Sequence, residues 1–176
     1  MQTARGASLN SSGTTNHPKS TYVRLFFFVA MSVWLIDQAT KAIAVAELDG
    51  RAPITVIPHV FSLEFTTNSG AAFGMAAGMT VVLSALAVLV CGFVIHAASR
   101  LRDKGWAVGL GLLLAGAMGN LTDRIFREPS PFRGHVIDFL HLNHWPIFNV
   151  ADIALTFAAL VVFWRTWRGV GIDGTR

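Results

Sequence analysis

The hydrophobic positions of this chain fall into four long runs separated by polar connections. The runs cover about residues 23–46, 80–98, 106–122 and 146–166. A helix needs about 20 residues to cross the apolar core of a bilayer, and each run is near that length. The alternative is a buried helix of a soluble protein, which is typically about 10–14 residues long. Four long runs without amphipathic partners therefore predict an all-α membrane protein with four transmembrane helices.

The connection between the first two runs follows a different period. In "VFSLEFTTN", Phe61, Leu63 and Phe65 alternate with polar residues, which is typical of a half-buried strand. The segment "PITVIP" before it is β-branched and bounded by prolines, and "NSGAAFG" at 68–74 predicts a turn. We therefore expect a small antiparallel sheet on the membrane surface. Such a sheet either holds an extended peptide by strand addition or covers the helix ends as a lid.

Composition agrees with a membrane protein that has polar ends. Of the 176 residues, 53% are hydrophobic and 14% are charged. The first run is too long for the core of a cleavable signal peptide, and it continues into Asp37. Residues 1–21 are polar and predict a disordered tail, 22–168 a single membrane domain, and 169–176 a C-terminal tail. The single cysteine, Cys91, excludes an intramolecular disulfide.

The basic residues predict the orientation of the chain in the membrane. They are concentrated before the first run, between the second and third runs, and at the C-terminus. The positive-inside rule therefore places both termini in the cytoplasm and the connections 47–79 and 122–146 outside. Arg124, Arg127 and Arg133 weaken the rule for the last connection. The net charge of +4 follows from this flanking bias and does not indicate nucleic-acid binding.

Polar side chains near the outward ends of the helices are candidate functional residues. Ionisable groups at membrane depth are rare, and they mark a functional site by default. Asp37 and Lys41 have the spacing of a helical ion pair, so a simple ion pair at the interface is the alternative to a functional role. Asp123 lies close in sequence to Arg124 and Arg127, which favours a structural anchor over a proton-transferring group.

Two further aspartates, Asp138 and Asp152, stand in apolar surroundings, in "GHVIDFL" and "FNVADIAL". Asn149 is a good cap for a helix that begins directly after it, and Asp152 would then complement the helix dipole. Such a helix has only fifteen residues before Arg165, so we predict a start at Pro146 instead. On that prediction Asp152 has no capping role. Two such carboxylates, if brought together, share one proton and act as acid and base on an amide bond.

Three other functions also use polar residues of this kind: a metal site, a transporter and a scaffold. A zinc site is the alternative that His135, His141 and His144 raise, but their spacings of six and three residues match no helical metal motif. We therefore expect no metal and no other cofactor. A transporter or proton relay also uses intramembrane acids, but it normally places them near the bilayer midplane, often within repeats. A non-catalytic scaffold leaves the clustered acids without a reason.

Four motifs resemble successive blocks of the signal peptidase II family. They are "DQATK" at 37–41, "NSGAAFG" at 68–74, "GAMGNLTDR" at 116–124 and "VIDFL…FNVAD" at 136–152. They occur in the family's order and extend over most of the chain outside its termini. The family consists of four-helix aspartyl peptidases of the bacterial cytoplasmic membrane. Its members remove signal peptides from prolipoproteins by cleaving before a diacylglyceryl-modified cysteine.

The resemblance implies roles for particular residues. By motif, the catalytic dyad corresponds to Asp138 and Asp152, at the extracytoplasmic face. The positions that match supporting polar and glycine residues of the family are Asp37, Lys41, Asn68, Gly70, Gly116, Asn120, Arg124 and Asn149. The family's surface β-sheet, called its cradle, corresponds to about residues 50–75. The implied partners are diacylglyceryl-modified prolipoproteins, membrane lipids and globomycin-type peptide inhibitors, and we expect a monomer.

Overall fold

Four helices and a three-stranded sheet form the part of the chain that the computed structural model describes, residues 22–70 and 79–176. The helices are α1 (Val23–Leu48), α2 (Met79–Ala98), α3 (Lys104–Phe126) and α4 (Val150–Trp167), and the strands are β1 (Ile54–Ile57), β2 (Phe61–Asn68) and β3 (Val136–Leu142). Each helix is long and apolar enough to cross a membrane. The predicted architecture is thereby confirmed. The predicted N-terminal tail and most of the predicted 68–74 turn lie outside the described residues.

Helix α3 is the centre of the bundle, because it packs against each of the other three helices. Small residues make this possible. A Cβ atom at Gly111 would meet the backbone oxygen of Phe26 in α1 at 2.9 Å. One at Gly116 would meet the backbone oxygen of Ala151 in α4 at 2.6 Å. Glycine at these two positions lets the helix backbones approach closely.

One end of the bundle joins the start of α1, the α2–α3 connection and the C-terminus. A hydrophobic cluster fills this end. The amide of Arg102 donates to the backbone oxygen of Ile172 at 3.0 Å, and Trp106 Nε1 donates to that of Val170 at 2.7 Å. Residues 169–176, which we expected to be a tail, therefore fold back onto the bundle.

The sheet covers the opposite end of the bundle. Its order is β1-β2-β3, and both strand pairs are antiparallel. Ile137 and Phe139 of β3 form a buried cluster with Leu48 at the end of α1. The first two strands correspond to the predicted strand segments, but β3 was not predicted. Asp138 thus lies in a strand, directly opposite Thr66 of β2.

The start of α4 corrects one prediction. The helix begins at Val150 and not at Pro146. The Asn149 side chain accepts a hydrogen bond from the amide of Asp152 at 3.0 Å, and the Asp152 side chain accepts one from the amide of Asn149 at 3.2 Å. This reciprocal capping box satisfies two backbone donors that a helix otherwise leaves free, and it fixes the first residue of the helix. The capping role that we had set aside for Asp152 is therefore present.

Candidate active site

The amide group of Asn149 links the two candidate aspartates. It lies at the junction between the sheet and the first turn of α4 and is completely buried. Its Nδ2 donates to Asp138 Oδ1 at 2.6 Å, while its backbone amide donates to Asp152 Oδ2. The capping box therefore does more than start a helix. It brings the carboxylate of a strand and the carboxylate of a helix to the same asparagine.

Asn120, in α3, supports the second aspartate. Its Nδ2 donates to Asp152 Oδ1 at 2.9 Å. Its Oδ1 accepts from Asn149 Nδ2 and from Lys41 Nζ, both at 3.1 Å. Because the ammonium group of Lys41 can only donate, it fixes which end of the Asn120 amide faces the carboxylate.

A buried group of charges surrounds Lys41. Its Nζ lies 2.9 Å from Asp37 Oδ2 and 2.8 Å from Asp123 Oδ2, and all three side chains are at most 1% exposed. Arg127 Nε binds Asp123 Oδ1 at 2.6 Å, so two acids face two bases. Asp37 Oδ1 also accepts from the amide of Ala151 at 2.8 Å. The Asp37–Lys41 pair is thus not an exposed interfacial pair, and Asp123 anchors α1 to α3.

Asn68, the last residue of β2, holds the other oxygen of Asp138. Its Nδ2 donates to Asp138 Oδ2 at 3.1 Å, and its Oδ1 accepts from the amide of Gly70 at 2.8 Å. Gly70 has a φ of +87°, which a residue with a side chain rarely adopts. The glycine therefore allows the tight turn that orients the Asn68 amide.

The surroundings of Asp138 favour its protonated form. Burial, first, and the negative charge of Asp152, second, raise the pKa of Asp138 to about 6. The hydrogen bonds from Asn68 and Asn149, and the charge of Lys41, oppose the rise. This is the environment that divides the roles of acid and base between two carboxyl groups.

Arg124 brings an unused donor to the site. Its Nη1 donates to the backbone oxygen of Asn120 at 3.2 Å, one turn back in α3. Its Nε is buried and has no hydrogen-bond partner among the residues that the structure describes. Its positive charge acts on Asp152, Asp123 and Asp138. A buried donor left without a partner costs about 1–3 kcal/mol, so this guanidinium group is suited to a ligand.

Sequence reasoning missed one polar residue of this region. Gln38 Nε2 donates to Asp37 Oδ2 at 3.0 Å and to the backbone oxygen of Gly119 at 3.2 Å. Its position inside "DQATK", at membrane depth, was the available signal. The histidines are not gathered: within residues 22–70 and 79–176 no group of three or more histidine, cysteine or acidic side chains has an arrangement that could hold a metal ion.

Comparisons with known proteins identify the family of the chain. The family model described as "Signal peptidase (SPase) II" matches residues 29–168. The lipoprotein signal peptidase of Leifsonia xyli subsp. xyli is 46% identical over 149 residues, which are 84% of this chain and 69% of the relative. That of Rhodococcus jostii is 44% identical over 152 residues, which are 86% of this chain and 77% of the relative.

A solved structure has a similar fold. It is described as "Bacterial membrane enzyme structure by the in meso method at 1.9 A resolution" and superposes with a TM-score of 0.73 at 27% identity. The match covers 84% of this chain and 96% of the other. These matches are to a peptidase family and to a membrane enzyme, which favours an enzyme over a transporter or a scaffold. The chain belongs to the signal peptidase II family, the aspartic-type membrane peptidases that remove signal peptides from lipoproteins.

Proposed function

We propose that Asp138 and Asp152 are the catalytic dyad and that the chain cleaves prolipoproteins before a diacylglyceryl-modified cysteine. The observation that carries this proposal is the pair of hydrogen bonds from Asn149. Its side chain reaches Asp138 Oδ1 at 2.6 Å and its backbone amide reaches Asp152 Oδ2 at 3.2 Å. Two carboxyl groups held by one residue, at the sheet-covered end of the bundle, fit hydrolysis of an amide bond without a covalent intermediate.

The two aspartates have different roles. Asp138 starts the reaction protonated, in keeping with its raised pKa, and its proton is on Oδ2 because Oδ1 accepts the shorter bond from Asn149. Asp152 is the base. It lies in the first turn of α4, where the helix dipole favours an anion, and it accepts hydrogen bonds at both oxygens.

The reaction then needs one water molecule. Asp152 removes a proton from the water as its oxygen attacks the scissile carbonyl carbon, and Asp138 gives its proton to the carbonyl oxygen. The result is a neutral gem-diol. As the C–N bond breaks, Asp152 transfers its proton to the departing nitrogen, and one hydroxyl group of the gem-diol returns a proton to Asp138. Both aspartates regain their starting states, and water is the only reagent consumed.

Supporting residues act at two levels. The amides of Asn68, Asn120 and Asn149 are engaged with the aspartates, so they position the dyad. Arg124 differs because its Nε has no partner in the described part of the chain, and we assign it to a carbonyl or glyceryl oxygen of the substrate. Asp37, Lys41, Gly70 and Gly116 act through the packing of these groups.

The location follows from the same proposal. The family and the four spans fit a bacterial inner membrane protein. We place the sheet-covered end outside and both termini in the cytoplasm, as the basic residues indicate. We also propose that the protein is a monomer that binds membrane lipids and globomycin-type peptide inhibitors.

The test of the substrate is a matched pair of preproteins, one with the diacylglyceryl group and one with an unmodified cysteine. Two acyl chains fix the modified cysteine at the bilayer boundary and align the scissile amide with the dyad. We expect kcat/KM for the unmodified substrate to be at least about a hundredfold lower, which is about 2.7 kcal/mol of transition-state stabilisation. Equal rates in the same detergent would mean that the enzyme reads sequence alone, and the substrate assignment would fail.

A further inference from the structure

An apolar groove begins at Asp152 and follows α4. It has a volume of about 280 Å³, and Trp145, Phe148, Thr156 and Phe157 contribute to its walls. Asp152 lies in the first turn of α4 and Phe157 more than one turn further along, so the groove leads away from the dyad along the helix. We call it the α4 groove.

A second groove begins at Asp138 and has a different chemistry. Its volume is about 360 Å³, and its walls include Thr66, Asn68 and Ser69 at the end of β2. Its walls are therefore more polar than those of the α4 groove, which suits a peptide backbone better than an acyl chain. Pro146 lies in its wall, and Phe148, two residues later, lies in the wall of the α4 groove. The two grooves thus flank the segment 146–148.

The exposed surface of α4 continues the α4 groove. Phe157, Leu160 and Trp164 are 56%, 57% and 56% exposed, and their spacing places them along one side of the helix. An apolar track therefore runs from Asp152 along the membrane-spanning part of α4. Trp145, 65% exposed, stands at the mouth of the groove, where tryptophan is common at a membrane interface.

From these two grooves we infer that the α4 groove receives an acyl chain of the substrate's diacylglyceryl group, while the peptide backbone takes the groove at Asp138. This inference rests on the proposed function. The lipid is attached to the side chain of the residue that follows the scissile bond, so it leaves the peptide only a few bonds from the dyad. It needs an apolar path that starts there, and the α4 groove starts at Asp152.

The α4 groove orients the substrate, and it adds little hydrophobic free energy of binding. Lipid tails are as apolar as the side chains of the groove, so moving an acyl chain from the bilayer into it changes the hydrophobic free energy little. Holding the chain along α4 instead fixes the orientation of the modified cysteine relative to the dyad. Thr156 is therefore a specificity-determining residue, because a larger side chain at this position would block the path.

The experiment compares two substrates that share one signal peptide and carry either dioctanoylglyceryl or dipalmitoylglyceryl cysteine. The measured quantity is the ratio of kcat/KM for the long-chain substrate to kcat/KM for the short-chain substrate, in one detergent. Thr156→Trp should lower this ratio at least about fivefold, because an indole ring at this position fills part of the groove and clashes with the longer chain. Ala159→Trp, at another exposed position of α4, should leave it within about twofold. Thr156→Leu should lower it less than Thr156→Trp and serves if the tryptophan variant does not fold.

Failure of the inference and failure of the proposed function give different results. If the wild-type protein cleaves the unmodified preprotein as fast as the lipidated one, the proposed function fails. If it prefers the lipidated substrate but Thr156→Trp and Thr156→Leu keep the wild-type ratio, the α4 groove does not hold the acyl chain. If the loss in these variants follows the length of the apolar segment of the signal peptide, and not the acyl length, the groove holds the signal peptide and the inference is overturned.

Discussion

Asn149 has two structural roles at the site. It caps helix α4, and it donates hydrogen bonds to both candidate aspartates. Its side-chain oxygen caps α4 while its Nδ2 reaches Asp138 Oδ1. A cap alone contributes about 1 kcal/mol and is also available from serine or aspartate. Neither of these side chains has a donor of the reach of Nδ2. The need for asparagine therefore comes from Asp138 and not from the helix.

The pH dependence of the reaction tests the role of Asp138. In the proposed mechanism Asp138 is the starting acid. Because its pKa is raised to about 6, kcat/KM should fall as the pH rises above about 6. Asn68 lowers this pKa through its hydrogen bond to Oδ2. Asn68→Ala should therefore move the alkaline limb of the pH profile to higher pH.

The control for Asn68 is another asparagine near the sheet. Asn143 Nδ2 donates to the backbone oxygen of His59 in an exposed position, so Asn143→Ala should leave the alkaline limb where it is in the wild type. Because the two aspartates interact, the limb belongs to the pair. If the alkaline limb of Asn68→Ala stays in place or moves to lower pH, the assignment of the catalytic proton to Asp138 is wrong.

Which of these residues could be identified from the sequence depends on the range of their contacts. Asp138 and Asp152 stand out because their neighbours in sequence are apolar. The predicted start of α4 at Pro146 is wrong, because the capping preference of Asn149 fixes the start of the helix and the length of the apolar run does not. The contact between Lys41 and Asp123 joins two helices, and no local pattern contains it.

At the scale of the elements, α3 decides how closely the site can assemble. Gly116 faces α4 beside Ala151, and Gly119 faces both Ala151 and Asp37. Small residues three or four positions apart, as in this helix, are typical of membrane helices that pack closely. The pattern did not tell which neighbour each glycine faces, because that depends on the rotation of the helix within the bundle.

Gly116→Ala tests this close approach. The added Cβ would lie 2.6 Å from the backbone oxygen of Ala151, so α3 and α4 must separate. We expect the free energy of unfolding to fall by about 1–3 kcal/mol. We also expect kcat to fall, because Asp152 follows Ala151 in the chain. Thermal unfolding in detergent and a cleavage assay measure the two effects.

Gly92→Ala in α2 is the matched control. A Cβ atom there would meet nothing within 4 Å, and alanine favours a helix over glycine by up to about 1 kcal/mol. This variant should be at least as stable as the wild type and fully active. Equal stability of the Gly116→Ala and Gly92→Ala variants would show that α3 and α4 do not pack closely at Gly116.

Strand β3 could not be predicted from the pattern of hydrophobic and polar residues. Its sequence, "VIDFLHL", is mostly apolar and lacks the clean alternation that predicts a half-buried strand. Its first four residues are buried, which explains the lack of alternation. Its strand conformation depends on pairing with β2, which is distant in sequence, so no local pattern predicts it.

At the scale of the whole molecule, the two ends of the bundle differ in chemistry. The sheet and the candidate dyad occupy one end, while the start of α1, the α2–α3 connection and the folded C-terminal segment occupy the other. At that second end Asp103 caps α3 and pairs with Arg165. We propose, from the distribution of basic residues, that this end lies in the cytoplasm.

Single cysteines in a Cys91→Ala background test this orientation. Asp49 and Arg133 are exposed at the sheet-covered end, and Ser99 is exposed at the other. Asp49→Cys and Arg133→Cys should react with an impermeant thiol reagent added to intact spheroplasts, whereas Ser99→Cys should react only after lysis. The reverse pattern would place the dyad on the cytoplasmic side.

The most direct test of the account is the turnover of purified protein on a diacylglyceryl-modified preprotein, without an ion gradient. Asp138→Asn and Asp152→Asn should each lower kcat at least about a hundredfold, because an amide keeps the shape of the side chain but cannot relay a proton. Both variants should still unfold cooperatively, and Asp49→Asn, at the exposed end of α1, should turn over like the wild type. Near-wild-type turnover in either dyad variant would contradict the proposed mechanism.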